Sequence, residues 1–410
     1  MILLSGAKVV TADGVRDPGF VRVEGERIAG VGGPPAPPGA TPPHETLPAG
    51  ETDPAGETLP GRETEERHAL DGMWVVPGMV DLHVHGGGGA SYTTGKPEDV
   101  LAALAFHRAG GTTTSFASLV TAAPEDLLRA VASIAELVGD QGLEGIHLEG
   151  PFLARARCGA QAPGFLLEPD VALLRRLLAA GHGSVAMVTV APELDGAVTL
   201  IREIVDAGAI AAIGHSDATY DQAMAAIDAG ATVATHLFNG MRPRHHREPG
   251  IAGAALDRDE VTCELIADGV HLHPATVREA FAAAPGRVSL VTDAISAAGA
   301  GDGTFRLGPV TVAVVGGRAH LDGQEVVAGS TITAGDGFAY AVRDARLAIT
   351  DVVHAAAGRP ASLIRRAADR GTIEVGKSAD LVVLDAGLRV VGVMARGAWV
   401  VRPAASGRGR

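Results

Sequence analysis

The sequence is poor in cysteine and in aromatic residues, and each shortage excludes a class of protein. Only two cysteines, Cys158 and Cys263, occur among 410 residues. A chain of this length with two cysteines has no disulfide framework, so we expect it in a reducing compartment, the cytoplasm. Aromatic residues make up 3% of the chain against 46% hydrophobic residues in all, so the core must be built from aliphatic side chains.

Positive charge and long apolar runs are also scarce. The 34 Lys and Arg residues are outnumbered by 48 Asp and Glu residues, which gives a formal net charge of −14. An acidic chain without a basic stripe is repelled by phosphate backbones, so we expect no nucleic-acid partner. No apolar run approaches the roughly 18 residues of a membrane span, and the first residues do not resemble a secretion signal. We therefore expect no membrane partner.

The order of predicted strands and helices divides the chain into three parts. Residues 1–75 begin with short strands and contain a low-complexity stretch, about residues 33–66, which is rich in Pro, Gly, Glu and Thr. That stretch has little to bury and predicts a disordered insertion, with an acidic tether as the alternative. Over residues 76–370, apolar strands alternate with Ala- and Leu-rich helices, which predicts an α/β fold, the TIM (β/α)8 barrel. Residues 371–410 return to strands and, with the N-terminal segment, predict a small β-sandwich formed by both chain ends.

Six of the predicted strands end in a histidine or a carboxylate. The carboxyl ends of the strands form one mouth of a TIM barrel, so these side chains should meet there. His83 and His85 share a face of their strand because alternate residues point the same way. Imidazole and carboxylate groups are ordinary ligands of Zn²⁺ and Fe²⁺, so the pattern predicts a metal site. The remaining strand-end residues are His147, Glu149, His215, Asp217, His236, Asp268, His271 and Asp293.

The motifs around these residues resemble a known family. The run PGMVDLHVH at 77–85 resembles the opening signature of the amidohydrolase superfamily, and GKSADLV at 376–382 resembles its tail strand. The family of N-acetylglucosamine-6-phosphate deacetylases has motifs similar to HLEGPF at 147–152, GHSDA at 214–218, HLFNGM at 236–241, REPG at 247–250 and DGVH at 268–271. The resemblance covers nearly the whole chain apart from the low-complexity stretch.

This resemblance implies an enzyme that hydrolyses N-acetyl-D-glucosamine 6-phosphate to D-glucosamine 6-phosphate and acetate. It implies that Glu149, His215 and His236 hold the catalytic divalent metal, Zn²⁺ or Fe²⁺. It further implies that His83 and His85 can hold a second ion with Glu149 shared between the two, so that one or two ions bind per subunit.

The same resemblance implies roles in catalysis and in substrate binding. Asp293 would be the general base, which takes a proton from the attacking water and returns it to the departing amine. His271 would donate a hydrogen bond to the acetyl carbonyl and stabilise the oxyanion. The implied substrate-binding residues are Ala160, Gln161, Asn239, Gly240, Arg247, His271, Val327, Ala328 and Gly329.

The phosphate end of the substrate is assigned to Arg247 by the resemblance. A guanidinium suits a phosphate because it donates two parallel hydrogen bonds. In the family this arginine can reach across a dimer interface, so the resemblance implies a homodimer. Two positions depart from the family pattern: Gln161 stands where a histidine is usual, and Gly240 stands where an alanine is usual. We expect the first change to weaken or retune a substrate contact, because an amide carries no charge.

Three alternatives remain open at this point. In a serine α/β-hydrolase, residues 214–218 would form the nucleophile elbow, and Asp293 with His320 or His354 would complete a triad. That elbow lacks its final glycine and leaves the other strand-end histidines without a role. A non-enzymatic barrel kept for binding is the second alternative. The third is another C–N hydrolase of the superfamily, acting on a different N-acyl amino sugar or resembling dihydroorotases or dipeptidases. Several of these C–N hydrolases use a carboxylated lysine as the bridging ligand, where this chain has Glu149.

Overall fold

In the computed structural model of the chain, residues 1–33 and 66–404 are described. They form a closed barrel of parallel strands with helices around it and a second sheet at its side. The disordered insertion predicted at about residues 33–66 falls on the stretch outside the described residues.

Eight parallel strands form the barrel, and their order in the sheet follows their order along the chain. Val84 and Ala294, which follow the first and eighth strands, pair in a parallel bridge, and the N–H of Asp293 donates to the carbonyl of His83 at 2.8 Å. These contacts join the two edges, so the predicted barrel is confirmed. The strands are Met79–Asp81, Thr112–Val120, Leu143–Glu149, Val185–Val190, Ile210–Ile213, Ala231–Ala234, Thr262–Ile266 and Val288–Val291.

The helices lie outside the barrel and bury apolar side chains against it. In the helix Ala197–Asp206, for example, Leu200, Ile201 and Ile204 are completely buried, and their spacing places them on one side of the helix. Among the described residues, no helix combines the length and the apolar character that a bilayer crossing requires. The helices are Pro97–Ala109, Pro124–Ala135, Val171–Ala180, Ala197–Asp206, Tyr220–Asp228, Gly250–Asp257, Pro274–Ala283, Ala334–Arg343, Ile349–Val353 and Arg359–Leu363, with short turns of helix at Tyr92–Thr94, Arg155–Arg157, Pro163–Phe165 and His354–Gly358.

Both chain ends build the second sheet, as the sequence predicts. Leu381 pairs with Pro77, so a C-terminal strand is held against the segment that leads into the first barrel strand. The strands form one mixed sheet around an aliphatic core that includes Leu4, Val9 and Val383. Residues 371–380 lie in turns with a single bridge, so the strand predicted at the start of the C-terminal segment is absent from these residues. The strands are Ala398–Val401, Val390–Ala395, Leu381–Leu384, Trp74–Pro77, Ile2–Thr11, Gly14–Glu24 and Arg27–Gly32 in spatial order, with Glu66–Ala69 also paired to Ile2–Thr11.

A three-stranded antiparallel sheet, which the sequence analysis missed, follows the eighth barrel strand. Leu307 and Val312 from this sheet are buried against Val120 and Ile295 at the carboxyl ends of barrel strands. The sheet therefore covers one side of the barrel mouth and brings the following loop to the candidate site. Its strands are Gly303–Leu307, Val310–Val315 and Arg318–Leu321, and a smaller pair, Gly86–Gly87 with Ala90–Ser91, lies after the first barrel strand.

Candidate metal centre and active site

The barrel mouth holds two adjoining groups of buried histidines and carboxylates. One group is Glu149, His215 and His236, and the other is His83, His85 and Asp293. In the first group, Oε1 of Glu149 lies 3.0 Å from Nε2 of both histidines. The two Nε2 atoms are themselves 3.0 Å apart. Three donor atoms from three different strand ends therefore converge on one point.

The second group shares a carboxylate with the first. Nε2 of His85 lies 3.1 Å from Nε2 of His83 and 3.1 Å from Oδ1 of Asp293. It also lies 3.2 Å from Oε2 of Glu149, while the other oxygen of that carboxylate faces the first group. The geometry accordingly offers two neighbouring ligand sets with Glu149 between them.

Hydrogen bonds behind two of the histidines fix which nitrogen faces the centre. Nδ1 of His85 lies 3.1 Å from the carbonyl oxygen of Ser118, and Nδ1 of His215 lies 2.9 Å from that of Arg157. A carbonyl only accepts, so both Nδ1 atoms carry the proton and both Nε2 atoms can turn a lone pair inward. Lone pairs and carboxylate oxygens at such distances repel one another unless a proton or a metal cation lies between them. This donor set therefore fits a divalent cation that accepts nitrogen and oxygen ligands.

The electrostatics of the groups favour positive charge at the centre. Burial alone would raise the pKa of Glu149, but the imidazoles of His83 and His215 hold that pKa well below its ordinary value. Burial likewise opposes charge on His85, yet hydrogen bonds to Asp293 and Glu149 raise the pKa of this histidine to about 9. The pKa of Asp293 is also lowered, because His83 and His85 outweigh its burial. Both carboxylates are thus ionised at neutral pH.

Three of these residues adopt a backbone conformation that is unusual for a residue with a side chain. The φ angles are 46° for His215, 31° for His236 and 49° for Asp293. Left-handed conformations of non-glycine residues cost on the order of 1 kcal/mol or more and concentrate at functional sites. At Asp293 the strain is held in place because its N–H donates to His83 and its carbonyl accepts from Ser330, both at 2.8 Å.

His271 lies across the pocket on an anchored loop. Its Nδ1 donates to Oδ2 of Asp268 at 2.7 Å, while Oδ1 of the same carboxylate accepts the N–H groups of Val270 and His271 at 2.8 Å. Burial would lower the pKa of His271, but Asp268 raises it above the ordinary value. The ring is therefore both oriented and favoured in its protonated, donating form.

An open pocket of about 230 Å³ lies over the two groups. Of the substrate-binding residues predicted from the sequence, Ala328 is fully buried behind the lining, and Arg247 is exposed with its guanidinium donating to His246 at 2.7 Å. The predicted residues that line the pocket are Ala160, Gln161, Asn239, Gly240, His271, Val327 and Gly329. The lining also contains Val120, Leu307 and Val326, which the sequence analysis did not select.

Glu264 is a further residue that the sequence analysis missed. Its Oε2 lies 3.1 Å from Nδ1 of His83 and accepts the backbone N–H of His236 at 3.3 Å, and the side chain is completely buried. A carboxylate behind a metal-binding histidine orients the ring and raises its basicity. The signal for it in the sequence is a lone acidic residue inside the apolar strand Thr262–Ile266, away from the strand end.

The serine-hydrolase alternative finds no support in the geometry. The hydroxyl of Ser216 donates to Oε2 of Glu193 at 2.7 Å, and Nε2 of His354 lies 3.2 Å from the carbonyl oxygen of Gly286. Asp293 is engaged with His85 instead. These side chains are committed to other partners, and the parallel strands close into a barrel rather than the open sheet on which a nucleophile elbow is carried.

Comparison with known proteins agrees with this geometry. The Amidohydrolase family matches residues 74–401. The chain is 35% identical to N-acetylglucosamine-6-phosphate deacetylase of Bacillus subtilis (strain 168), over 79% of this chain and 83% of that protein. It is 36% identical to N-acetylgalactosamine-6-phosphate deacetylase of Escherichia coli O157:H7, over 80% of this chain and 88% of that protein.

A solved structure is similar along almost the full length. It is a mutant of N-acetyl-D-glucosamine-6-phosphate deacetylase from Mycobacterium smegmatis in complex with N-acetyl-D-glucosamine-6-phosphate. Its TM-score is 0.87 at 42% identity, with 98% of this chain and 99% of that chain covered. The resemblance first seen in the strand-end motifs is confirmed, and the chain belongs to the amidohydrolase family.

Proposed function

We propose that this protein is a metal-dependent deacetylase that hydrolyses N-acetyl-D-glucosamine 6-phosphate to D-glucosamine 6-phosphate and acetate. The observation that carries the proposal is the convergence of Glu149, His215 and His236 within 3.0 Å of one another, with Asp293 beside them. The names of relatives at 35 to 42% identity support the choice of substrate.

The metal centre is assigned to the first group of ligands. Glu149, His215 and His236 would hold the catalytic ion, Zn²⁺ or Fe²⁺, because their nitrogen and oxygen donors suit these ions. His83 and His85 offer a place for a second ion. A bound divalent ion supplies Lewis acidity and lowers the pKa of a water molecule to about 7.

The proton transfers fall to side chains of the chain itself. Asp293, buried and ionised, accepts the proton of the attacking water and delivers it to the amide nitrogen as the C–N bond breaks. His271, whose protonated form is favoured by Asp268, donates to the acetyl oxygen while negative charge develops there. The backbone of Asp293 is tied to His83 and Ser330, and the ring of His271 is tied to the carboxylate of Asp268.

The assay that tests the proposal measures acetate release by the purified cytoplasmic protein. We expect release from N-acetyl-D-glucosamine 6-phosphate, loss of that activity after dialysis against a chelator, and recovery on addition of Zn²⁺ or Fe²⁺. N-acetyl-D-galactosamine 6-phosphate is the comparison substrate, because the Escherichia coli relative is named for it. Activity that survives complete metal removal and is abolished by a fluorophosphonate would contradict the proposal and favour a serine hydrolase.

Arg247 provides a test of phosphate recognition in a homodimer. We propose that it reaches the phosphate bound to the partner subunit. Within its own subunit the residue is exposed, and its guanidinium donates to the neighbouring His246 ring. Arg247→Ala should raise KM for the phosphorylated sugar about 10- to 100-fold, the value of a charge-assisted hydrogen bond of about 1.5–3 kcal/mol. KM for unphosphorylated N-acetylglucosamine should stay the same.

The control for this prediction is Arg244→Ala, a nearby exposed arginine paired with Glu279. Co-expression of Arg247→Ala with Asp293→Asn subunits should restore the low KM at half the sites, because one site of each mixed dimer keeps its own aspartate and gains a partner arginine. Equal changes in KM for the two sugars would remove the phosphate role.

A further inference from the structure

The side chain of Gln161 bridges the carboxyl ends of two neighbouring barrel strands at the proposed metal centre. It is 4% exposed, although the loop that carries it lines the open pocket. Its Oε1 accepts the backbone N–H of Thr121 at 2.8 Å, and its Nε2 lies 2.5 Å from Oε2 of Glu149. Thr121 directly follows the second barrel strand and Glu149 ends the third. Both ends of the amide are therefore satisfied by the protein.

The orientation of this amide follows from its partners. A backbone N–H can only donate, so the oxygen of Gln161 must face Thr121 and its NH₂ group must face Glu149. The hydroxyl of Thr121 also donates to the carbonyl of Glu149 at 3.3 Å, which ties the same two strand ends together. The amide of Gln161 thus fixes the rotation of the Glu149 carboxylate. It holds Oε2 and leaves Oε1 turned toward His215 and His236.

We propose that Gln161 is a positioning residue that orients Glu149 for metal binding. The inference rests on the proposed metal centre and departs from the expectation that this residue is a substrate contact. An ionised carboxylate has about four lone-pair sites, and one N–H of Gln161 occupies a single site on Oε2. Oε1 remains free for the ion shared with His215 and His236, and the second lone pair of Oε2 still faces His85.

The amide suits this task because it holds the carboxylate without charge. A cationic donor in the same place would compete electrostatically with the metal ion, whereas a neutral amide stabilises the rotamer and leaves the negative charge of Glu149 for the ion. The replacement of the usual histidine by Gln161 therefore changes how the metal ligand Glu149 is held. Partners of this kind are worth about 10- to 100-fold in metal affinity.

The test compares metal binding by the metal-free wild-type protein with two variants. Gln161→Leu keeps the approximate size and removes both hydrogen bonds. Gln161→Glu keeps an acceptor for Thr121 and places an oxygen against Glu149. We expect the Kd for Zn²⁺, measured by competition with a chromophoric chelator, to rise about 10- to 100-fold in both, and the visible spectrum of bound Co²⁺ to change. The matched control is Gln324→Leu, an exposed glutamine at the rim of the neighbouring pocket.

Kinetics separate positioning from substrate binding. If Gln161 orients the ligand, kcat falls at limiting metal and recovers with excess metal, while KM for the sugar phosphate changes little. Unchanged Zn²⁺ affinity with a raised KM would overturn the inference and make Gln161 a substrate-binding residue. If Gln161→Leu fails to fold, Gln161→Glu decides, because it retains the bond to Thr121. Failure of the wild-type protein to bind Zn²⁺ would refute the proposed function itself, so the two failures are distinguishable.

Discussion

Replacing Asp293 with asparagine should lower kcat for acetate release by about 10²- to 10⁴-fold. The amide has the shape of the carboxylate but cannot accept the proton of the attacking water. Asparagine also tolerates the left-handed φ of 49° at this position, so the change adds little backbone strain. Asp293 lies outside the group formed by Glu149, His215 and His236, so the ion held there should remain.

The measurement pairs kcat with zinc content per subunit in the same preparation. Asp322→Asn, an exposed aspartate lining the neighbouring pocket, is the matched control and should behave as wild type. A variant at 293 that keeps more than a tenth of the wild-type kcat would eliminate the general-base role. Loss of the zinc together with kcat would instead make Asp293 chiefly a metal ligand.

The barrel and the histidines and carboxylates that meet at its mouth were predictable because their signals are local. The alternation of strands and helices is set by residues close together in the chain, and a strand-end residue is recognisable from the apolar run before it. His83 and His85 share a face for the same reason. The three-stranded sheet that begins with Gly303–Leu307 was not predicted, because it interrupts the alternation of strands and helices that begins at residue 76.

Contacts between distant parts of the chain were beyond sequence reasoning. Glu264 lies 181 positions from His83, and nothing local to either residue states that their side chains meet. The departure at Gln161 was visible in the sequence, but its consequence was not. Only the fold shows that the amide bridges Thr121 and Glu149. A change at Gln161 is therefore expected to alter metal binding rather than substrate binding.

Removal of the negative charge at Glu149 should have the largest effect of all. Its Oε1 faces both histidines of the first group, and its Oε2 faces His85 of the second. Glu149→Gln keeps the shape of the side chain but removes its negative charge. The histidine nitrogens around the ion would then face a neutral oxygen or an N–H group, and the ion would lose its anionic ligand. We expect the purified variant to lack tightly bound zinc and to fall to roughly 10⁻³ of wild-type turnover or lower, because water then keeps its ordinary pKa.

The control lies on the same strand. Glu144 is at the opposite end of Leu143–Glu149, where it pairs with Arg366 and Arg370 at the barrel's far side, so Glu144→Gln should keep both zinc and turnover. Thermal unfolding gives an independent readout, because an ion at 100 times its Kd stabilises the folded state by about 2.7 kcal/mol. The Tm of the wild-type protein and of Glu144→Gln should rise with added Zn²⁺, and that of Glu149→Gln should not. A zinc-dependent Tm in Glu149→Gln equal to that of wild type would mean that the histidines hold the ion without the carboxylate, and the shared-ligand assignment would have to be abandoned.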